Sequence, residues 1–86
     1  MAVVKLYANL RKLAGAKELP AKGDTVRSVL DDLVGQHTQL GEALLVNGEV
    51  RPHVILTLNG QHLVHLDTPV EEQDVIAIFP PIAGGR

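Results

Sequence analysis

Val75-Ile76-Ala77-Ile78-Phe79-Pro80-Pro81-Ile82-Ala83-Gly84-Gly85-Arg86 is the last stretch of the sequence, and its reading decides how the rest is read. Val75 to Phe79 is a short apolar run rich in β-branched side chains, the pattern of a strand buried on at least one face. Pro80 and Pro81 have no N–H to give a sheet ladder, so they end the strand and hold the chain extended as it leaves. Gly84 and Gly85 lack a Cβ and permit close backbone approach by another protein. The division expected is a domain over 1–79 and an extended arm over 80–86.

Moving back from this strand, Val70 to Gln73 reads as a single helical turn after the turn Asp67-Thr68-Pro69. Asn59-Gly60 is a strong hairpin signal. It joins a strand over 53–58, with Val54, Leu56 and Leu58 on one face, to a short strand over 61–66. Leu40 to Val46 reads as a short helix and Asn47-Gly48 as a turn. The clearest helix starts at Asp24 or Thr25 as cap and carries Val26, Val29, Leu30, Leu33 and Val34 in one apolar stripe. Gly35 is its expected stop. Near the start, residues 2–8 alternate as a strand with Val4, Leu6 and Ala8 inward. Asn9 to Gly15 reads as a turn with a helical loop through Leu10 and Leu13, and residues 16–20 as a second, antiparallel strand.

Strands, one main helix and more strands give an α+β class. A helix packed on one face of a mixed sheet of four to five strands buries its single apolar stripe. The first and last strands are then expected side by side and parallel in the middle: a β-grasp, ubiquitin-like roll. Ile76 and Ile78 should face the helix, with Ala77 and Phe79 on the open face. Phe79 is there a candidate partner contact, or else is covered by the loop before the third strand.

A chain of 86 residues makes one domain, and such a chain hides only about 60–65% of its unfolded surface. Tyr7 and Phe79 are its only aromatic residues and the formal net charge is −2. Neither a stacking platform for single strands nor a phosphate-neutralising duplex binder fits, so no nucleic-acid partner is expected. Basic residues lean toward the first third (Lys5, Arg11, Lys12, Lys17, Lys22) and acids gather at Glu71, Glu72 and Asp74. There is no cysteine, hence no disulfide, thiolate metal site or cysteine nucleophile. His62 and His65 fall on opposite sides of a strand and His37 and His53 are isolated, so no metal is expected. Asp31 and Asp32 diverge by about 100° on a helix and are not a catalytic pair. No leader or membrane span is evident, and a cytoplasmic location is expected.

The order of elements, Thr25-Val26-Arg27-Ser28-Val29-Leu30, Val54 to Gly60, and Gln73-Asp74-Val75 running into Phe79-Pro80-Pro81-Ile82-Ala83-Gly84-Gly85 together resemble the MoaD/ThiS sulfur-carrier family. The Pro-Pro before the diglycine is most similar to the small subunit of molybdopterin synthase. Arg51-Pro52-His53-Val54 also resembles longer relatives that act as cysteine-synthesis carriers or protein modifiers. The resemblance implies a carrier, not an enzyme, with no bound cofactor. Its Gly85 carboxylate is adenylated with ATP by a ubiquitin-activating-like enzyme, and a sulfurtransferase route then yields a thiocarboxylate. In the molybdopterin branch Pro80, Pro81, Ile82, Ala83 and Gly84 enter the large synthase subunit. The alternatives are a ubiquitin-like modifier, a carrier for thiamine, cysteine or tRNA thiolation, and an inert interaction module. Arg86 departs from the pattern, because it locks the Gly85 carbonyl in an amide. It is trimmed by a peptidase, is a remnant of expression, or marks a chain that only binds.

Overall fold

β1 (Ala2–Leu6) and β7 (Val75–Phe79) lie side by side and parallel, with Val4 opposite Ile76 and Leu6 opposite Ile78. They are the middle of a five-stranded sheet in a computed structural model that describes residues 2–63 and 65–80. β2 (Glu18–Ala21) pairs antiparallel with β1 at one edge. β5 (Ile55–Leu58) pairs antiparallel with β7, and β6 (Gln61–His62) closes the other edge through the Asn59-Gly60 turn. The strand order is β2-β1-β7-β5-β6. It is the mixed β-grasp sheet expected, with the terminal strand at its centre.

Between β1 and β2 runs a short helix, α1 (Asn9–Ala14), stopped by Gly15 at φ 75. After β2 comes the main helix, α2 (Val26–Gln36), then α3 (Thr38–Leu44). A small antiparallel hairpin, β3 (Leu45–Val46) and β4 (Glu49–Val50), turns at Asn47-Gly48. Val26, Val29, Leu30 and Leu33 of α2 join Val4, Leu6, Ile76 and Ile78 in one core, which Leu10, Leu40 and Leu44 extend beneath the shorter helices. Among the described residues no polar or charged side chain is buried, so hydrophobic burial carries the fold.

The start of α2 is fully capped. Thr25 and Ser28 form a capping box: the Ser28 N–H donates to Thr25 Oγ1 (3.1 Å) and the Thr25 N–H to Ser28 Oγ (3.0 Å). The Val26 and Arg27 N–H groups donate to the Thr68 and Leu66 carbonyls at 3.0 and 2.7 Å. All the first-turn donors, which an α-helix otherwise leaves orphaned, are thereby satisfied. The loop before β7 is tied to the helix by the same bonds.

Several local expectations are corrected. Ala8 is exposed in a turn rather than inward, because β1 ends at Leu6. Residues 9–14 form a true helix anchored by buried Leu10. α2 passes through Gly35, with His37 as its C-terminal cap, since tertiary packing of the stripe outweighs one unfavourable residue. His53 lies in a turn at φ 71. β6 stops at His62, and Val70 to Gln73 makes a turn rather than helix, with Val70 buried against the core. Ala77 does lie on the open face with Lys5, Thr57 and Phe79, yet it is only 8% exposed, because its register neighbours Lys5 and Thr57 flank a side chain too small to reach past them.

Candidate partner-docking site

Leu6 and Ile78 face each other across the parallel pair, so one step further the chain sets Tyr7 beside Phe79. The two rings stack with centroids 4.5 Å apart and planes 13° from parallel, a contact worth about 0.5–1.5 kcal/mol beyond burial. Arg11 folds back from α1. Its Nε–H donates to the Leu6 carbonyl at 2.7 Å, and its guanidinium carbon lies 5.1 Å from the Tyr7 ring centre. Ile55 pairs with Phe79 across β5–β7 and is 45% exposed.

These side chains line one wall of an open groove whose other wall comes from α3 and the loop after β4, with Glu42 and Arg51 among its residues. The Arg51 Nε–H donates to the Glu42 carbonyl at 3.0 Å, which fixes that wall. Pro80, the first residue of the arm, also lines the groove.

β1 and β7 both run toward the groove. Arg11 and Lys12 follow β1 and sit at the groove end, whereas Glu71, Glu72 and Asp74 precede β7 and sit at the far end. At that far end Asn59 clasps the start of β7. The Val75 N–H donates to Asn59 Oδ1 and the Asn59 side-chain amide donates to Asp74 Oδ1, each at 2.9 Å. The Glu71 N–H, donating to Asp74 Oδ2 at 2.8 Å, holds the Asp74 carboxyl below the usual carboxylate range, and the Asn59 amide adds to this.

Of the residues singled out in the sequence, Phe79 is half-buried at the groove and Pro80 lies at its edge. Phe79 stands between the two readings given for it, shielded on one side by Tyr7 and facing the groove that Arg51 borders. Pro81, Ile82, Ala83, Gly84, Gly85 and Arg86 lie outside the described residues. Sequence reasoning missed Tyr7, Ile55 and Arg51. Phe79 ends one strand of the parallel pair and Tyr7 directly follows the other, and that coincidence was the available signal. Among the described residues no group of three metal-ligating side chains gathers, and no helix is long and apolar enough to cross a membrane.

The family model described as ThiS family matches residues 4–85. The chain belongs to the ThiS family. Within it, the chain is 36% identical to small archaeal modifier protein 3 of Haloferax volcanii, over 95% of this chain and 96% of that protein. It is also 36% identical to the molybdopterin synthase sulfur carrier subunit of Arabidopsis thaliana, over 95% of this chain and 80% of that one. A chain in the crystal structure of the BexX/CysO complex from Amycolatopsis orientalis superposes with a TM-score of 0.86 at 26% identity, covering 99% of this chain and 100% of that one. ThiS-family membership makes the protein a small sulfur-carrier or ubiquitin-like protein of β-grasp fold, without a catalytic site of its own.

Proposed function

We propose that this ThiS-family chain is a sulfur carrier working through Gly85, and that it serves as the small subunit of molybdopterin synthase. The observation that carries the reading is the sequence Pro80-Pro81-Ile82-Ala83-Gly84-Gly85 directly after the central strand, with Pro80 lining an apolar groove. A carboxylate is a poor electrophile until it bears a good leaving group. The Gly85 carboxylate attacks the α-phosphorus of ATP and releases pyrophosphate; the terminal persulfide sulfur of a sulfurtransferase then attacks the acyl carbon and releases AMP, and a thiol reduces the resulting acyl disulfide. The product is a thiocarboxylate on a main-chain carbonyl, which is how a sulfur carrier dispenses with cysteine. The reacting group must enter sites belonging to the adenylating enzyme and the large synthase subunit, so side chains beside it are a hindrance. Gly84 and Gly85 have none. Arg86 has to be removed first, because an amide carbonyl offers no carboxylate to adenylate.

A second reading, a ubiquitin-like modifier joined through Gly85 to lysines, is favoured by the 36% identity to small archaeal modifier protein 3. Mass spectrometry of the chain from its native host separates the two. Loss of one arginine with exchange of one oxygen for sulfur supports the carrier. Lysine-linked conjugates support the modifier, and a chain that stays unaltered refutes both. In trimmed protein Gly85→Ala is expected to abolish sulfur loading while leaving the unfolding midpoint unchanged.

A further inference from the structure

Ala8 holds a backbone conformation that its side chain opposes. Its φ and ψ are 55° and −135°, and the Leu10 N–H reaches the Tyr7 carbonyl at 3.2 Å. This is a tight turn of the type that takes glycine at its first central position. Ala2 to Pro80 holds three other non-glycine residues at positive φ among those described: Asn47, His53 and Asn59. Asn and His are the types that tolerate such values. Alanine has no polar side chain to compensate, and its ψ lies outside the left-handed helical well, so strain is stored there.

The methyl group of Ala8 is not retained for the core, since Ala8 is exposed. It lines the groove beside Tyr7, Phe79 and Pro80. Glycine would relieve the strain without leaving a cavity inside the protein. What glycine would lose is an apolar contact on the outside, at the root of the arm. Gly85 is five residues from Pro80 in sequence, so an enzyme that takes up Gly85 works no further than about 18 Å from this surface.

We infer that Ala8 is a docking contact, its methyl held by a glycine-type turn against an apolar surface of the enzyme that adenylates Gly85. The inference rests on the reading of Gly85 as the adenylated residue. Ala8 touches neither ATP nor the reacting carboxylate; it acts on recognition.

The test compares chains ending at Gly85, as parent, Ala8→Gly and Ala8→Ser. Thermal unfolding and ATP–pyrophosphate exchange with the adenylating enzyme of the native host are both measured. Ala8→Gly is expected to raise the unfolding midpoint by roughly 4–8 °C as strain is released. The same variant is expected to raise KM about fourfold, the worth of one buried methyl group, with kcat unchanged. Ala8→Ser keeps the Cβ and should stay within about twofold of the parent in KM, which sets contact loss apart from disruption of the turn. A midpoint that falls or stays put for Ala8→Gly overturns the strain argument. A raised midpoint with unaltered KM overturns the contact. No exchange with the parent chain overturns the reading of Gly85, and the docking inference with it.

Discussion

Gly23→Ala tests whether the α2 cap is as tightly built as the structure shows. Gly23 sits at φ 153, and a Cβ there would lie 2.5 Å from Ser28 Oγ and 2.6 Å from the Val29 nitrogen. Ser28 Oγ can swing away, but only by leaving the Thr25 N–H and the Thr25 carbonyl, with which it bonds at 3.0 and 2.9 Å. Loss of such a cap costs about 1 kcal/mol. The Val29 nitrogen is backbone and cannot move without shifting the first turn, which adds roughly 1–3 kcal/mol of overpacking. Alanine at this φ brings a further ~1–3 kcal/mol of backbone strain. The terms overlap, and a destabilisation of about 3–5 kcal/mol is expected. A domain of this length has only about 4–13 kcal/mol in total, so the variant should be close to unfolding at 37 °C. Urea titration by circular dichroism reads the change as a lower midpoint at constant slope. A loss below about 0.5 kcal/mol would refute the reasoning, since it would mean that the segment from Gly23 to Val29 rearranges freely.

Leu33→Ala empties a fully buried position between α2 and the sheet and should lose about 2–5 kcal/mol in the same titration. Phe79→Ala removes the stack on Tyr7 at a half-buried position; a double-mutant cycle with Tyr7→Ala should give a coupling of about 0.5–1.5 kcal/mol. Asp74 binds its proton less readily folded than unfolded, first because of the Glu71 N–H and then the Asn59 amide. Its contribution is therefore complete above the unfolded carboxylate pKa, about 3.9, and fades as pH falls through the lower folded value. Asp74→Asn should accordingly flatten the stability profile below about pH 4, and the two profiles should converge at the acid end; parallel profiles would contradict the assignment.

The long-range pairing in this fold was legible because it is written locally. Val4 and Leu6 alternate inward, as do Ile76 and Ile78, and the α2 stripe leaves no other face to cover them. What failed to read out were short elements whose state depends on neighbours. Residues 9–14 lack a side-chain cap at their N-terminus and become helix because Leu10 has a place in the core. Gly35 stays helical because the stripe ahead of it is already packed. Asn47-Gly48 reads as a turn, yet the hairpin on either side needs the register of Leu45 with Val50.

By itself the sequence determined the sheet-and-helix plan, narrowed the N-cap of α2 to Asp24 or Thr25, and presents Pro80 to Gly85 as a proline-led, small-residue segment that reads as an arm. Periodicity, proline and glycine act on the chain within a few residues of where they stand. The groove at the root of that arm was decided by the tertiary structure alone. Tyr7, Ile55, Arg51 and Phe79 come from separate segments, and only the parallel β1–β7 register and the β5–β7 pairing set them side by side. The strain at Ala8 is of the same kind, because an unpaired chain would never hold alanine at that angle.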